Sequence, residues 1–438
     1  MIQTIDLRGL QPNRAELLDL VPRAKTDVSA ATAVAGELID DVRARGEAAL
    51  LDQAERFDGV RPRRVRVDVA AMTSAVRQLD PAVRDALEES IARVRVASEA
   101  QLPTAGVTTI AEGAEIVQRW KPIHRVGLYV PGGKAVYPSS VVMNVIPAQV
   151  AGVSSIALAS PPQRAFDGMV HPAILGAAGL LGIDEVYAMG GSGAIGAFAY
   201  GVPDLGLDPV QLITGPGNVY VAAAKRLVRG TTGIDSEAGP TEILVIADAT
   251  ADPFLVAADL LSQAEHDELA AAVLVTDSVE LADQVQAHLE RTVPSAHHSA
   301  RVEEALRGRQ SAIVLVDDLE AAAAFSNLYG PEHLEIQTAD DAWYHDRLRN
   351  YGSIFLGQWS TVAYSDKGMA GTNHVLPTAG GARHSAGLSV SRFLKPLTYQ
   401  RVSKAATHAL ADAVDIISAS EGMAAHRATA TLRLNRLA

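Results

Sequence analysis

Two polar side chains at the end of a predicted helix have a spacing that suits metal binding. The run from Pro253 to Leu261 has apolar residues at helical spacing, and Gln263 and His266 follow it, three positions apart. On a helix both would project from one face, where an amide oxygen and an imidazole could hold one side of a Zn²⁺ ion. An ordinary polar helix end has the same spacing, so the pair gains weight only from candidate ligands elsewhere.

A carboxylate and an imidazole stand side by side at Glu332 and His333, after a Tyr-Gly-Pro turn and at the start of a predicted strand. The carboxylate could activate water, and the imidazole could move a proton near neutral pH. Adjacent residues on a regular strand point to opposite faces, so one site can use both only where the backbone is irregular. A solvated loop pair is the competing interpretation.

Further titratable residues lie in a stretch that is rich in loops, from Gly357 to Leu388. Asp366 offers a hard oxygen ligand, and Lys367 could pair with a substrate carboxylate or sulfonate. His374 follows shortly after them. Each is also an ordinary surface residue in isolation, but a loop of this length inside a compact domain points to function.

Near the C-terminus, Glu421 and His426 offer another carboxylate and another imidazole, five positions apart. A single histidine is more often a hydrogen-bonded structural residue than a metal ligand. These two residues therefore become candidates only together with the earlier ones.

Composition limits the classes of protein that fit. The 438 residues are enough for two or three domains, and the net charge of −13 argues against non-specific binding to nucleic acid. Cysteine is absent, which excludes disulfides and cysteine nucleophiles and leaves only nitrogen and oxygen ligands for zinc. No apolar run approaches the length of a membrane span and no secretory signal is visible, so we expect a cytoplasmic protein that binds no membrane.

The chain divides by pattern into four parts. Residues 1–26 predict a small N-terminal helical segment, and 389–438 predict a helical tail. Residues 27–240 begin with helical blocks and a hairpin at 108–119 and then alternate strand with helix. The same alternation returns at 241–388. Because strands that alternate with helices form parallel sheets covered on both faces, we predict an α/β fold with two Rossmann-like parallel-sheet domains side by side.

Three glycine-rich turns follow strand candidates in the first of these domains, at 131–133, 190–193 and 215–217. Ligands of open parallel sheets bind at the carboxyl ends of the strands, and amide groups at a glycine-rich helix start can cradle a pyrophosphate. Glycines that merely permit tight turns are the simpler reading of each one alone. Three together favour a nucleotide site.

Seven blocks of sequence, taken in order, resemble the histidinol dehydrogenase family. Several specific blocks in one order are far more selective than any single motif, and the resemblance runs from roughly residue 28 to the C-terminus. The blocks are Tyr129-Val130-Pro131-Gly132-Gly133, Gly215-Pro216-Gly217-Asn218 with Tyr220–Lys225, Gly239-Pro240-Thr241-Glu242, Gln263-Ala264-Glu265-His266, Pro331-Glu332-His333-Leu334-Glu335, Gly371–Thr378, and Glu421-Gly422 followed by His426.

The resemblance implies a zinc- and NAD-dependent enzyme that oxidises an amino alcohol through an aldehyde to a carboxylate, using two NAD⁺. L-Histidinol is the best-known substrate of the family. Residues 27–240 would bind NAD and 241–388 would carry zinc ligands. The resemblance also implies a homodimer with intertwined subunits, in which the tail at 389–438 completes the partner's active site.

By similarity, each candidate residue receives a role. Glu332 would activate the water that adds to the aldehyde, and His333 would accept and donate protons. The implied zinc ligands are Gln263, His266, Asp366 and His426. The dinucleotide would contact Tyr129, Asn218 and the turn that contains Gly193. The substrate site would comprise Thr241, Gln263, His266, His333, Asp366, Lys367, His374, Glu421 and His426.

The sequence departs from the family pattern at three places. Thr241 stands where histidinol dehydrogenases have a serine, which keeps the hydroxyl group. Gly193 stands where the family has a glutamine that contacts the cofactor, which puts the pose of NAD in question. Around Asp366 an acidic residue expected upstream is missing, and the loop is one residue longer, so the assignment of Asp366 depends on a gap. Lys367 makes the loop more similar to a branch that oxidises a sulfonated diol, 2,3-dihydroxypropane-1-sulfonate. A third possibility, motivated by Gly193, is a non-catalytic binding or regulatory relative.

Overall fold

The structure, a computed structural model, describes residues 1–24, 28–132, 136–237 and 239–436. The last glycine of the predicted turn at 131–133 lies outside the described residues. The strands are β1 Gln3–Asp6, β2 Gly106–Ala111, β3 Ala114–Pro122, β4 Arg125–Tyr129, β5 Ser155–Ser160, β6 Val186–Ala188, β7 Leu212–Thr214, β8 Gly233–Ile234, β9 Glu242–Ala247, β10 Ala271–Thr276, β11 Ala312–Leu315, β12 His333–Gln337, β13 Ser353–Leu356 and β14 Leu394–Val402.

The helices alternate with these strands through most of the chain. They are α1 Arg14–Leu20, α2 Val28–Arg45, α3 Glu47–Phe57, α4 Val69–Gln78, α5 Pro81–Glu99, α6 Pro138–Ala151, α7 Pro172–Leu180, α8 Gly191–Tyr200, α9 Val219–Val228, α10 Pro253–Ala264, α11 Val279–Thr292, α12 Ser299–Arg307, α13 Leu319–Tyr329, α14 Asp341–His345, α15 Val362–Asp366, α16 Thr407–Ser420 and α17 Ala424–Asn435. No helix in the described part of the chain is long and apolar enough to cross a membrane.

Two parallel sheets with the same winding form the body of the molecule. The first has the strand order β6-β5-β4-β7-β8, and the second has β1-β11-β10-β9-β12-β13. If β1 is left aside and the strands of each sheet are numbered along the chain, both sheets have the spatial order 3-2-1-4-5. Doubly wound nucleotide-binding folds have the same order. The predicted α/β fold with two Rossmann-like sheets is therefore confirmed.

The sheets are buried on both faces, which explains the apolar runs in the sequence. Every residue of β9 and β10 is buried, as expected for parallel strands with helices on both sides. One face of the first sheet packs with the cluster around Ile146 and Ile174, and the other with the cluster around Phe198. The second sheet is likewise enclosed between two apolar clusters.

The N-terminal segment differs from its prediction. Residues 1–26 were expected to be a helical segment of their own, but β1 adds a strand to the second sheet beside β11, with Gln3 opposite Ala312. Helix α1 then packs on α13, and its Leu17 is fully buried in the second α/β unit, the one built on the second sheet. The partner strand lies at the far end of the domain in sequence, so local pattern could not reveal the pairing.

The C-terminal tail is also not purely helical, as 389–438 was expected to be. It begins with β14, which pairs antiparallel with β3 and so joins the hairpin β2–β3, a hairpin confirmed as predicted. Its Thr398, Tyr399 and Val402 suit a strand, and Pro396 is tolerated because β14 is an edge strand. Helices α16 and α17 then pack on each other and leave Ile416 and Leu432 exposed.

Candidate active site

A cavity of about 420 Å³ lies between the two α/β units. The first unit contributes Tyr129 and residues 216–219, which lie at the carboxyl ends of β4 and β7. From the second unit it is lined at the amino ends of the neighbouring strands β9 and β12, by Thr241, Glu332 and His333. The cavity therefore brings together most of the residues that the sequence singled out.

Glu332 is a buried carboxyl group held from two sides. Its Oε2 accepts a hydrogen bond from Thr241 Oγ1 at 2.6 Å and another from the backbone N–H of Glu242 at 3.0 Å. Burial raises the pKa of Glu332 to about 8, although both hydrogen bonds act to lower it. A carboxyl group that titrates in this range suits proton transfer near neutral pH.

His333 has one ring nitrogen bonded and one without a partner. Its Nδ1 lies 3.1 Å from the carbonyl oxygen of Glu242. A carbonyl can only accept, so Nδ1 carries the proton and Nε2 keeps its lone pair. Nε2 is buried and has no hydrogen-bond partner among the described residues. Burial lowers the pKa of His333, which keeps the ring neutral and able to accept a proton.

Glu242 positions both candidate catalytic residues, although no pattern in the sequence points to it. Its N–H binds Glu332 and its C=O binds His333, because β9 and β12 are paired in register at this end. Its side chain forms a buried ion pair with Arg23 from the N-terminal segment. Glu332 itself lies in a bend just before β12. This irregular backbone allows two adjacent side chains to serve one cavity, which a regular strand would not.

His266 and Asp366, two of the implied metal ligands, lie next to each other at the cavity. The atoms His266 Nε2 and Asp366 Oδ2 are 3.6 Å apart. A tetrahedral zinc ion with bonds of about 2.0–2.2 Å keeps neighbouring ligand atoms about 3.4 Å apart, so this pair fits zinc. Burial lowers the pKa of His266, which favours the neutral imidazole that metals bind.

Gln263 stands behind these two residues rather than on the cavity wall. It is buried, and its Nε2 donates to Thr241 Oγ1 at 2.6 Å. Thr241 in turn donates to Glu332, so the three side chains form one relay of hydrogen bonds. With the amide nitrogen turned towards Thr241, the carbonyl oxygen is the atom left for a metal. An amide oxygen is a suitable, though neutral, ligand.

His374 is bonded at both ring nitrogens. Its Nδ1 donates to the backbone oxygen of Asp366 at 2.9 Å, and its Nε2 accepts from Ser140 Oγ at 2.9 Å. The ring thus ties the end of α15, where Asp366 lies, to helix α6 of the first unit. Lys367, the next residue, is exposed and lines the same cavity.

Glu335 and Asp259 form a pair of neighbouring carboxyl groups. Glu335 is fully buried, and burial, together with nearby Asp259, raises its pKa well above the usual range. Gln337 donates to Asp259 at 2.8 Å, and the backbone N–H of Val362 donates to Glu335 at 3.0 Å. The cluster joins α10, β12 and α15: His333 lies on β12, Asp366 on α15, and His266 two residues after the end of α10.

On the side of the first unit, Tyr129 and Asn218 line the cavity. The Tyr129 hydroxyl accepts a hydrogen bond from the N–H of Gly191, and burial raises its pKa to about 12. The Asn218 side chain caps α9 by accepting from the N–H groups of Tyr220 and Val221. Asn218 thus caps the start of α9, and the hydroxyl of Tyr129, at the end of β4, contacts the start of α8.

Gly193 does not line the cavity. It lies inside α8, and a Cβ atom added to it would overlap Oε1 of Gln53, a residue of α3. Gln53 is buried, and its Nε2 donates to the carbonyl oxygen of Leu38 at 3.0 Å. The space that a side chain at position 193 would enter is therefore filled by Gln53. This packing explains why a glycine is accepted here.

We expect Gly193→Ala to lower the free energy of unfolding by about 1 kcal/mol, because the new methyl group displaces Gln53 from its bond to Leu38. Urea unfolding of the four proteins of a double-mutant cycle with Gln53→Ala tests this. In the Gln53→Ala background the same change should be neutral or stabilising, since alanine is the better helix former. An equal cost in both backgrounds would contradict the proposed contact.

Glu421 and His426 are not brought to this cavity. Both are exposed on the tail, Glu421 at the end of α16 and His426 in the first turns of α17. Neither lines the cavity. In the described part of one chain, no group of three or more His, Asp or Glu side chains could hold a metal ion. The implied ligand set is thus incomplete within a single subunit.

Comparison with known proteins decides the family. A family model described as histidinol dehydrogenase matches residues 21–434. The chain belongs to the histidinol dehydrogenase family. A curated relative named histidinol dehydrogenase, from Leifsonia xyli subsp. xyli, is 63% identical over 437 residues and covers 100% of both chains. Another of that name, from Streptomyces avermitilis, is 54% identical and covers 99% of this chain and 98% of its own.

A solved structure supports the same conclusion. The crystal structure of histidinol dehydrogenase from Elizabethkingia anophelis superposes with a TM-score of 0.93 at 33% identity and covers 100% of this chain and 98% of that one. Membership of the histidinol dehydrogenase family identifies an oxidoreductase and implies the oxidation of histidinol. Nothing in these comparisons supports the sulfonated diol or the non-catalytic relative that the sequence left open.

Proposed function

We propose that the protein is a zinc-dependent, NAD-linked enzyme that oxidises L-histidinol through the aldehyde to L-histidine with two NAD⁺. The observation that carries this proposal is the buried, unpartnered Nε2 of His333 at a cavity that Glu332 also lines. A neutral imidazole with a free lone pair is suited to remove the proton of an alcohol. The neighbouring carboxyl group of Glu332 supplies the base that the second oxidation requires to activate water.

The two oxidations make different demands on these residues. In the first, His333 Nε2 accepts the hydroxyl proton while the carbinol hydride leaves, which produces the aldehyde. An aldehyde has no hydroxyl proton to lose, so the second oxidation needs a water molecule to add first. Glu332, once ionised, accepts a proton from that water, and His333 again accepts the hydroxyl proton of the resulting hydrate. The second hydride then leaves, and the carboxylate forms.

The zinc ion would be held by Gln263, His266 and Asp366 of one chain and by His426 of a second chain. When bound, it would anchor and orient the alcohol and stabilise developing negative charge, since Zn²⁺ has no redox chemistry of its own. The pair His266–Asp366 has a separation that fits this role.

The dinucleotide would bind on the first unit, where Tyr129 and Asn218 face the cavity. It would accept the hydride in each oxidation. This side of the cavity lies at the carboxyl ends of β4 and β7, which are neighbours in the sheet but first and fourth along the chain. The strand order reverses between them, and in open α/β sheets ligands bind at this point. The start of α9 adds a positive dipole end that suits a pyrophosphate.

We also propose a homodimer in which the tail of each subunit reaches the site of the other. The tail carries Glu421 and His426 away from the cavity of its own chain, and it exposes apolar side chains on both of its helices. Among these are Ile416, with 69% of its surface exposed, and Leu432, with 61%. A second copy that covers this surface would supply the missing zinc ligand.

The decisive test is NADH formation by zinc-loaded protein that is offered L-histidinol and, separately, 2,3-dihydroxypropane-1-sulfonate. We expect two NADH per L-histidinol, because the conversion of an alcohol to a carboxylate releases two hydrides, and no turnover of the sulfonate. A chelator should abolish the activity, and added Zn²⁺ should restore it. Turnover of the sulfonate alone would overturn the assignment and give Lys367 the role of a sulfonate contact. Zinc-loaded protein that reduces no NAD⁺ with either would contradict the enzymatic proposal.

A further inference from the structure

We propose that Lys225 and Asp235, which do not line the catalytic cavity, position the glycine turn at 215–218 for dinucleotide binding. This inference rests on the proposed function, because it assumes that the dinucleotide binds against that turn. Lys225 lies on the inner face of α9, and Asp235 directly follows β8. Both are buried, with 1% and 6% of their surfaces exposed. In the proposed function neither residue contacts substrate, metal or cofactor.

The two side chains hold both hydrogen-bonding groups of Gly215. Asp235 Oδ2 accepts from the N–H of Gly215 at 2.8 Å, and Lys225 Nζ donates to its C=O at 3.0 Å. Lys225 and Asp235 also form a buried ion pair with each other. One residue of the turn is thus clamped between opposite charges, in addition to the packing around it.

The other side of Gly215 leaves no room for adjustment. Its φ angle is +120°, and a Cβ atom there would overlap the carbonyl oxygen of Tyr129 at the end of β4. A glycine is required, yet glycine is also the residue with the greatest conformational freedom. The clamp supplies the restraint that a side chain at this position cannot. It fixes Pro216, Gly217 and Asn218 at the wall of the cavity.

A buried ion pair is weak grounds for inferring stability alone. Removal of one partner leaves an unpaired buried charge and is strongly destabilising, whereas replacement of both by apolar residues of similar size is often tolerated. Asp235 is held further by the N–H of Ser236 at 2.7 Å and by Arg392, which donates to its backbone oxygen. The single replacement therefore tests the contribution to stability. The double replacement, which should fold stably, tests whether the pair also positions the turn.

The experiment compares Lys225→Met with the double variant Lys225→Met/Asp235→Leu in the zinc-loaded dimeric protein. We expect the single variant to lose stability and the double variant to regain it. In the double variant the KM and Kd for NAD⁺ should remain raised about tenfold or more, because Gly215 has lost two hydrogen bonds to charged groups. The KM for L-histidinol and the zinc content should remain those of the wild type.

Arg226→Met is the matched control, since Arg226 is the next residue on α9 and its ion pair with Glu237 is exposed. It should leave the KM for NAD⁺ unchanged. A double variant that regains both stability and the wild-type KM for NAD⁺ would overturn the positioning role. Hydrogen exchange gives a check that needs no variant: the Gly215 amide should exchange slowly, and exchange as fast as in exposed loops would also overturn it. Wild-type protein that binds no NAD⁺ would instead refute the proposed function.

Discussion

Glu332→Gln is expected to stop the reaction at the aldehyde, with NADH formation from L-histidinal lowered by about 10²–10⁴-fold, the range attributed to a general base. Glutamine retains the acceptor oxygen for Thr241 and the Glu242 amide, so the local structure is preserved. It cannot take a proton from water. Steady-state oxidation of the aldehyde, followed by NADH absorbance, measures the effect.

Reduction of L-histidinal by NADH is the internal control, because it requires no activated water and should survive in Glu332→Gln. The rate of aldehyde oxidation by the wild type should rise with pH through about 8, since the ionised form of Glu332 is the base and burial raises its pKa to about 8. The variant should lack this rise. Aldehyde oxidation that remains within about tenfold of the wild type would assign water activation to another group.

Stability gives a separate check on folding. A carboxyl group whose pKa is raised by burial stabilises the folded state at low pH, and this contribution is lost as pH rises through the folded pKa. Glu332→Gln should therefore have a thermal midpoint at pH 9 no lower than that of the wild type. A large drop would show that the loss of activity reflects damage to the fold.

His426→Ala is expected to lower turnover by about 10²-fold or more through loss of a zinc ligand, although His426 is exposed in its own chain. The informative experiment mixes it with Glu332→Gln and allows subunits to exchange. If each tail serves the partner's site, a mixed dimer contains one site with both defects and one intact site. Random exchange should then recover about a quarter of the wild-type rate of L-histidinal oxidation, the step that both variants lose, because half of the dimers are mixed and half of their sites are intact.

Tails that serve their own chain would give the opposite result, since every site in the mixture would carry one defect and no activity would return. Each variant incubated alone through the same exchange protocol is the control. Zinc content provides a second readout, because Glu332→Gln should keep its metal while His426→Ala loses it. A zinc content of His426→Ala equal to that of the wild type would contradict the ligand assignment.

The sequence predicts the two parallel sheets because strands such as β9 and β10 are continuous apolar runs next to helical periods. It fails at β1 and β14. β1 is a short edge strand whose partner, β11, lies in the last third of the chain, and β14 pairs with β3 across most of the sequence. Local periodicity contains no information about such pairings, so these segments were assigned to helical regions.

For the site, sequence identified the residue types but not their states. It named Glu332 and His333, yet the proton on His333 Nδ1 follows only from the carbonyl of Glu242, which no side-chain motif reveals. It could not place Gly193, whose neighbour Gln53 comes from a distant helix. Lys225 lay within a recognised block, whereas Asp235 did not. Their common contact, Gly215, is visible only in three dimensions.

The cavity has walls of different origin, with the amino ends of β9 and β12 on one side and the carboxyl ends of β4 and β7 on the other. On the proposed function, the reacting alcohol is held by the second unit and the oxidant by the first. NADH can then leave and NAD⁺ can bind while the aldehyde intermediate stays bound to the second unit. A reactive amino aldehyde would thus stay sequestered through a change of oxidant, and the enzyme would complete four-electron oxidation within one residence of its substrate.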